Sequence, residues 1–182
     1  MPTLKPFLRL ALLAAFFILH SCVKDVDLHQ IDEVVIPPKA ALNLVYFTLS
    51  SDDFIRNQDQ NSRGTVSDLV RLEFLDDDYI RDGLVQAEFQ FKYTNGFSFP
   101  LVSTVTFLSE NNVVQYQFSF PIAAGSPGNP KITNHFETID RKNIEVIKKS
   151  IKMRIELESQ SRANPFSGEL QLKSKAFYNF EF

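Results

Sequence analysis

The sequence predicts an all-β domain: an antiparallel two-sheet sandwich of about seven strands, with one short crossover helix near residues 140–149. Two observations support this prediction. From Ala41 onward, apolar and polar residues alternate with a period of two, which is typical of strands that bury one face. Turn signals recur about every ten residues, as in sandwiches of short strands.

The first strands are predicted at 41–49, 68–75 and 84–93. The third shows the clearest alternation, because its apolar residues occupy one face and glutamine, glutamate and lysine occupy the other. The Asn95-Gly96 pair that follows is a strong β-hairpin signal, which leads to a strand at 98–109.

The second half continues with a weaker turn signal at 110–112 and a strand at 113–120. Between Phe136 and Lys149 the spacing of isoleucines is helical, which predicts the short helix. Strands at 151–158 and 169–182 complete the domain. The inward-facing set is expected to be Val85, Phe89, Phe91, Phe118, Phe120, Ile155 and Leu157.

Strands of this number and spacing are typical of an immunoglobulin-like sandwich. The sequence contains eighteen phenylalanines for such a core. It has a single cysteine and no tryptophan, so the disulfide and core tryptophan of antibody domains are absent. The likeness therefore concerns the two-layer architecture and leaves the strand order open.

Residues 1–21 have the pattern of a secretory signal, with Lys5 and Arg9 before an apolar stretch at 10–19. That stretch is shorter than the roughly 20 residues of a transmembrane helix. The signal ends in the sequence Leu19, His20, Ser21, Cys22, which resembles the bacterial lipobox. The resemblance implies that Cys22 is acylated and becomes the first residue of a mature protein anchored to a membrane through lipid.

Residues 22–39 are predicted to form an acidic tether that ends in Pro37-Pro38, and residues 40–182 the β-sandwich domain. Val23 follows the cysteine, which in the sorting pattern of lipoproteins favours the outer membrane. Without the lysine and arginine of the leader, 17 of the 19 basic residues remain against 22 acidic ones. This mild negative charge argues against a nucleic-acid partner.

No catalytic residue and no cofactor is predicted. Only His29 and His135 remain after removal of the signal, too few for a cysteine-histidine metal site and poorly placed for a serine triad. Asp76, Asp77 and Asp78 are weak candidates for calcium ligation. Consecutive aspartates at a strand end are more typical of a solvated turn that prevents edge pairing.

The lipobox, the acidic tether and the single sandwich together resemble the small envelope lipoproteins of Bacteroidota. The resemblance implies a non-enzymatic binding or accessory module at the outer membrane, in its periplasmic or surface-exposed leaflet, which contacts envelope proteins or glycans. Two alternatives stay open. One is a carboxylate-dependent glycan hydrolase, whose paired acids only the tertiary structure brings together. The other is a small outer-membrane β-barrel, because the alternating segment 177–182 ends in phenylalanine.

Overall fold

The computed structural model describes residues 38–55, 64–159 and 167–182, all of which lie within the compact unit Pro37–Phe182. These residues contain eight strands and several short helices. The strands are β1 (Lys39–Ser50), β2 (Thr65–Arg71), β3 (Leu84–Asn95), β4 (Leu101–Leu108), β5 (Val114–Ile122), β6 (Lys131–Ile139), β7 (Lys152–Ser159) and β8 (Glu169–Phe180). The helices are α1 (Ser51–Ile55), a 3₁₀ turn (Glu73–Leu75), α2 (Asp78–Gly83) and α3 (Glu145–Lys148). None of these helices has the length and apolarity needed to cross a bilayer.

The strands pair into two antiparallel four-stranded sheets, which confirms the predicted all-β sandwich. The first sheet has the order β1-β8-β3-β6 and the second the order β2-β7-β4-β5. This is the strand order of a jelly roll, in which the chain passes repeatedly between the two sheets. In an immunoglobulin domain the first two strands share a sheet, whereas here they lie in different sheets. The immunoglobulin likeness is therefore limited to the two-layer architecture.

Each sheet ends in two edge strands, β1 and β6 in the first sheet and β2 and β5 in the second. The described strands therefore do not form the closed sheet that the barrel alternative requires.

The core lies between the sheets and largely follows the predicted alternation. Five of the seven residues predicted to face inward are buried: Phe89, Phe91, Phe120, Ile155 and Leu157. Val85 is half-buried because a β-bulge between Leu84 and Gln86 places Leu84 inward instead. Phe118 is half-buried because its strand, β5, is an edge strand with a neighbour on one side only.

The segment with helical spacing divides into a strand and a short helix. The predicted crossover helix is present as α3, between β6 of the first sheet and β7 of the second. Phe136, however, belongs to strand β6 and is exposed. Strand β6 was not predicted, because its inward positions are the polar residues Thr133, His135 and Glu137 instead of apolar ones.

The predicted hairpin at Asn95-Gly96 is wrong, because β3 and β4 belong to different sheets. Asn95 is fully buried, and its side-chain amide donates to the carbonyl oxygens of Phe99 at 3.1 Å and Ala123 at 2.9 Å. Its side-chain oxygen accepts the N–H of Phe97 at 2.9 Å. The pair therefore starts a connection between the sheets. The weaker turn signal at 110–112 does join a hairpin, β4–β5.

We predict that Phe89→Ala lowers the free energy of unfolding by about 3–5 kcal/mol, the usual cost of truncating a buried aromatic residue. The Phe89 ring centroid lies 4.7 Å from that of Phe107 and 6.1 Å from that of Tyr178, so truncation leaves a cavity between the sheets. Urea denaturation measures the loss. Phe118→Ala should cost less, because that ring is half-exposed, and the surface variant Gln115→Ala, on the polar face of the same strand, should stay within about 0.5 kcal/mol. Equal losses in all three variants would contradict the assignment of the inward face.

Candidate functional site

The outer face of the first sheet brings lysines and aromatic residues of all four strands together. We term this surface the lysine–aromatic face, and it comprises Tyr46 on β1, Lys92 on β3, Phe136 on β6 and Lys173, Lys175 and Phe177 on β8. The strand register sets its layout. Lys173 lies directly between Tyr46 on one side and Lys92 on the other. In the next row, Lys175 and Phe136 flank Gln90.

The three aromatic rings of this face are open to solvent. Tyr46 is 64% exposed, Phe136 60% and Phe177 36%. Several exposed aromatic rings on one face of a sheet make this surface a candidate for contact with a ligand or partner.

The arrangement of the three lysines lowers the stability of the sheet. Lys92 and Lys173 are directly opposed on neighbouring strands, where like charges are destabilising. Lys175 points from the same face two residues further along, roughly 7 Å away. Among the ion pairs of the described residues, none involves these lysines. Glu88 lies on the same face of β3, but its carboxylate accepts a hydrogen bond from the Gln90 amide at 2.7 Å and forms no ion pair with these lysines. The three ammonium groups are therefore available to an anionic ligand.

A β-bulge positions Tyr46. Between Asn43 and Tyr46 the register of β1 against β8 shifts, so the outward positions change from odd to even numbers. The buried Ser174 hydroxyl stabilises the bulge, because it accepts the N–H of Val45 at 3.0 Å and donates to the Val45 carbonyl at 3.3 Å. Tyr46 is three positions after the outward Asn43, so in a regular strand of the same sequence, without the bulge, it would point into the sandwich.

Two neighbouring side chains then orient the Tyr46 ring. Its hydroxyl accepts a hydrogen bond from the Gln171 amide at 3.1 Å. The Lys173 ammonium lies 5.5 Å from the ring centroid, within the range of a cation–π contact. One face of the sheet therefore presents an ordered aromatic ring beside an ammonium group.

Two shallow hollows flank the lysines of β8. The first, of about 370 Å³, lies between Tyr46, Asn43 and the two lysines Lys173 and Lys175. The second, of about 330 Å³, lies between the same lysines and the side chains of Phe136, Asn134, Gln90 and Lys92. Both volumes lie at the lower end of the range of ligand pockets. Each hollow offers an aromatic ring, an ammonium group and side-chain amides.

The two sheets leave an opening along each pair of edge strands, β1 with β2 and β6 with β5. His135, a histidine considered in the sequence analysis, lies inside the opening between β6 and β5. Its ring stacks on Phe120, with centroids 3.9 Å apart and planes 8° apart. Its Nε2 atom lies 3.4 Å from Glu137 Oε2, but within the described residues it has no hydrogen-bond partner. Glu137 also accepts a hydrogen bond from the Tyr116 hydroxyl.

His135, Phe120, Glu137 and Tyr116 form a second cluster, in which the Tyr116 phenol is protonated and donates a hydrogen bond to Glu137. The hydrogen bond to Glu137, burial and the carboxylate charge together raise the pKa of Tyr116 to about 12. The phenol therefore stays protonated near neutral pH and serves as a donor. No serine stands at hydrogen-bond distance of His135 among the contacts of the described residues.

The three aspartates considered for calcium each have a protein partner. Asp76 forms a two-pronged ion pair with Arg71, at 2.9 Å and 3.0 Å. Asp77 caps helix α2 by accepting the N–H of Ile80 at 3.0 Å, and Asp78 pairs with Arg81. No group of three or more potential metal-ligating acids, histidines or cysteines occurs in the residues that the structure describes. The lipobox residues Leu19, His20, Ser21 and Cys22 lie outside the described residues, and their role stays a prediction.

The sequence analysis missed the lysine–aromatic face. A partial signal is present in the alternation of Lys173, Lys175 and Phe177 along one face of the last strand. The contributions of β1, β3 and β6 depend on the strand order, which the sequence does not reveal.

No family model matches the chain, and no curated protein matches it. Among solved structures, it is similar to a candidate secreted protein of Parabacteroides distasonis, with 18% identity and a TM-score of 0.45 over 62% of this chain and 37% of that one. It is also similar to the VP2 subviral particle of infectious bursal disease virus, with 8% identity and a TM-score of 0.44 over 81% of this chain and 33% of that one. A third similar structure is that of Desmodium yellow mottle tymovirus, with 12% identity and a TM-score of 0.32 over 80% of this chain and 89% of that one. The chain spans well under half the length of the first two proteins.

We predict that Glu137→Gln lowers the pKa of Tyr116 from about 12 towards its ordinary value of 10.0, because the carboxylate both accepts the hydrogen bond and repels the phenolate. Ultraviolet titration of the phenolate measures the change, with Tyr116→Phe identifying the signal. Glu156→Gln, on the outer face of the second sheet, is the control. The stabilisation from this raised pKa is complete below pH 10 and is lost as the pH rises through about 12. An unchanged titration curve in Glu137→Gln would contradict the prediction.

Proposed function

We propose that this protein is a lipid-anchored, non-enzymatic binding module of the outer membrane, and that its lysine–aromatic face binds a glycan of the cell envelope. The observation that carries the proposal is the exposure of Tyr46, Phe136 and Phe177 on one face of a rigid sheet. Aromatic rings pack against the C–H faces of sugar rings, and amides such as those of Gln90 and Asn134 exchange hydrogen bonds with hydroxyl groups.

The two inward-facing carboxylates of the strands are too far apart to act as a catalytic pair, which supports binding over catalysis in the clefts between the sheets. Of the acidic residues on the described strands, Asp68 on β2 and Glu137 on β6 face inward. They lie at opposite openings, since Asp68 borders a cleft with residues of β1 whereas Glu137 contacts β5. Three strand spacings separate these openings, about 14 Å, which exceeds the roughly 5–10 Å between the paired acids of glycoside hydrolases.

The lipid anchor in this proposal rests on the sequence of residues 19–22. The same holds for the division into a signal at 1–21, a tether at 22–39 and a domain at 40–182. A tether of this kind gives a binding domain reach above the membrane without fixing its orientation.

We predict that Cys22→Ser prevents lipidation, so that the variant keeps its signal or is lost from the outer-membrane fraction. Intact-mass analysis and membrane fractionation measure both results. The chain has one cysteine, so the substitution removes no disulfide. Ser21→Ala, which keeps a small residue before the cysteine, should be processed normally. Outer-membrane association of Cys22→Ser at the wild-type level would contradict the anchor.

We also predict that the double variant Tyr46→Ala, Phe136→Ala loses glycan affinity by about tenfold or more, since each ring contributes on the order of 1 kcal/mol of stacking. Isothermal titration of the mature lipoprotein in detergent, against a panel of purified envelope polysaccharides, measures the loss. Tyr79→Ala is the matched control, because Tyr79 is 65% exposed on helix α2, away from this face.

Two results would contradict the proposal. One is equal affinity of the double variant and the wild type for every polysaccharide that binds. The other is release of reducing sugar ends by the wild type, abolished in Glu137→Gln or His135→Ala with the fold intact, which would make the second cluster an active site.

A further inference from the structure

We infer that the glycan bound by the lysine–aromatic face is acidic, with carboxylate, phosphate or sulfate groups that Lys92, Lys173 and Lys175 neutralise. This inference rests on the proposed function and adds the chemical class of the ligand. A neutral sugar polymer would use the aromatic rings and the amides but would leave the three ammonium groups without a role.

The charge arrangement is the first argument. The chain as a whole has a net charge of −3, so the positive cluster is a local feature. Lys92 and Lys173 face each other across one strand spacing, an arrangement that lowers the stability of the sheet. Local arrangements that oppose stability are characteristic of functional sites. An anion placed between these lysines removes the repulsion.

The layout of the face is the second argument. Tyr46 on one edge strand and Phe136 on the other lie in neighbouring rows and are three strand spacings apart across the sheet, about 14 Å. The lysines lie between the two rings, and Lys173 and Lys175 border both hollows. A sugar chain that crosses the strands therefore contacts a ring at each end and ammonium groups in the middle.

The same observations favour a glycan over other polyanions. Basic clusters that recognise lipid headgroups typically lie beside a transmembrane helix or on an amphipathic helix, whereas these lysines lie on β-strands. Nucleic-acid binding domains are generally basic overall, and this chain is acidic. The exposed rings also have the side-chain amides of Asn43, Gln90 and Asn134 beside them, and this combination suits the alternating C–H and hydroxyl surfaces of a sugar chain.

The test compares pairs of probes that share a sugar backbone and differ in their acidic groups, with the mature lipoprotein in nonionic detergent. The probes are polygalacturonate against its full methyl ester, and dextran sulfate against dextran. We expect at least one acidic probe to bind about tenfold or more tightly than its neutral counterpart, since hydrogen bonds to charged groups are the stronger ones. The triple variant Lys92→Gln, Lys173→Gln, Lys175→Gln should lose this preference and keep its affinity for the neutral probe.

Two controls accompany the triple variant. Lys142→Gln, Lys149→Gln removes two exposed lysines near helix α3 and should leave the preference unchanged. The melting temperature of the triple variant should equal or exceed that of the wild type, because the opposed charges are gone. With such a melting temperature, weaker binding of the acidic probe by the triple variant cannot be attributed to unfolding.

The possible failures are distinguishable. Equal affinity of the wild type for the acidic and neutral probes overturns the inference and leaves the proposed function intact. Absence of binding to all four probes and to the envelope polysaccharides overturns both. The inference is also overturned if the protein binds phosphatidylglycerol vesicles or a DNA duplex more tightly than either acidic probe. An unchanged preference of the triple variant for the acidic probe overturns it as well.

Discussion

The buried side chain of Asn95 determines how the two sheets are joined at one end of the sandwich. An amide without hydrogen-bond partners in the core would cost about 1–3 kcal/mol, so its three bonds to main-chain groups restrict the geometry tightly. Two of these groups lie just before β4 and just after β5. One residue of the first sheet therefore ties the segment before β4 and the segment after β5 to the end of β3.

The lysine–aromatic face depends on that topology. Strand β8 is the last strand, yet it lies between β1 and β3, so Tyr46, Lys92 and Lys173 come from distant parts of the chain and share one row. The bulge in β1 adds the final adjustment, because it turns Tyr46 outward where that row crosses the edge strand. Strand order and one extra residue, and not any local motif, create the surface.

The sequence predicts those elements whose two faces differ in polarity. Strands β3 and β7 were found because large apolar residues alternate with charged ones, whereas β6 was missed because its inward residues are polar and lie at an edge. The Asn95-Gly96 pair has the composition of a hairpin turn, but burial of the asparagine side chain gives it another role. The lysine–aromatic face cannot be predicted from the sequence, because the register between strands that are not consecutive is a property of the tertiary structure.

Each of the four edge strands has a feature that hinders pairing with a strand of another copy of the protein. Strand β1 has its bulge, β2 points Asp68 inward, β5 ends near Pro121 and β6 points Glu137 inward. Bulges, prolines and inward-pointing charges are features that stop a sheet edge from accepting a strand of another molecule. The sandwich therefore resists growth into continuous intermolecular sheets, and copies can be crowded together on one surface without polymerising.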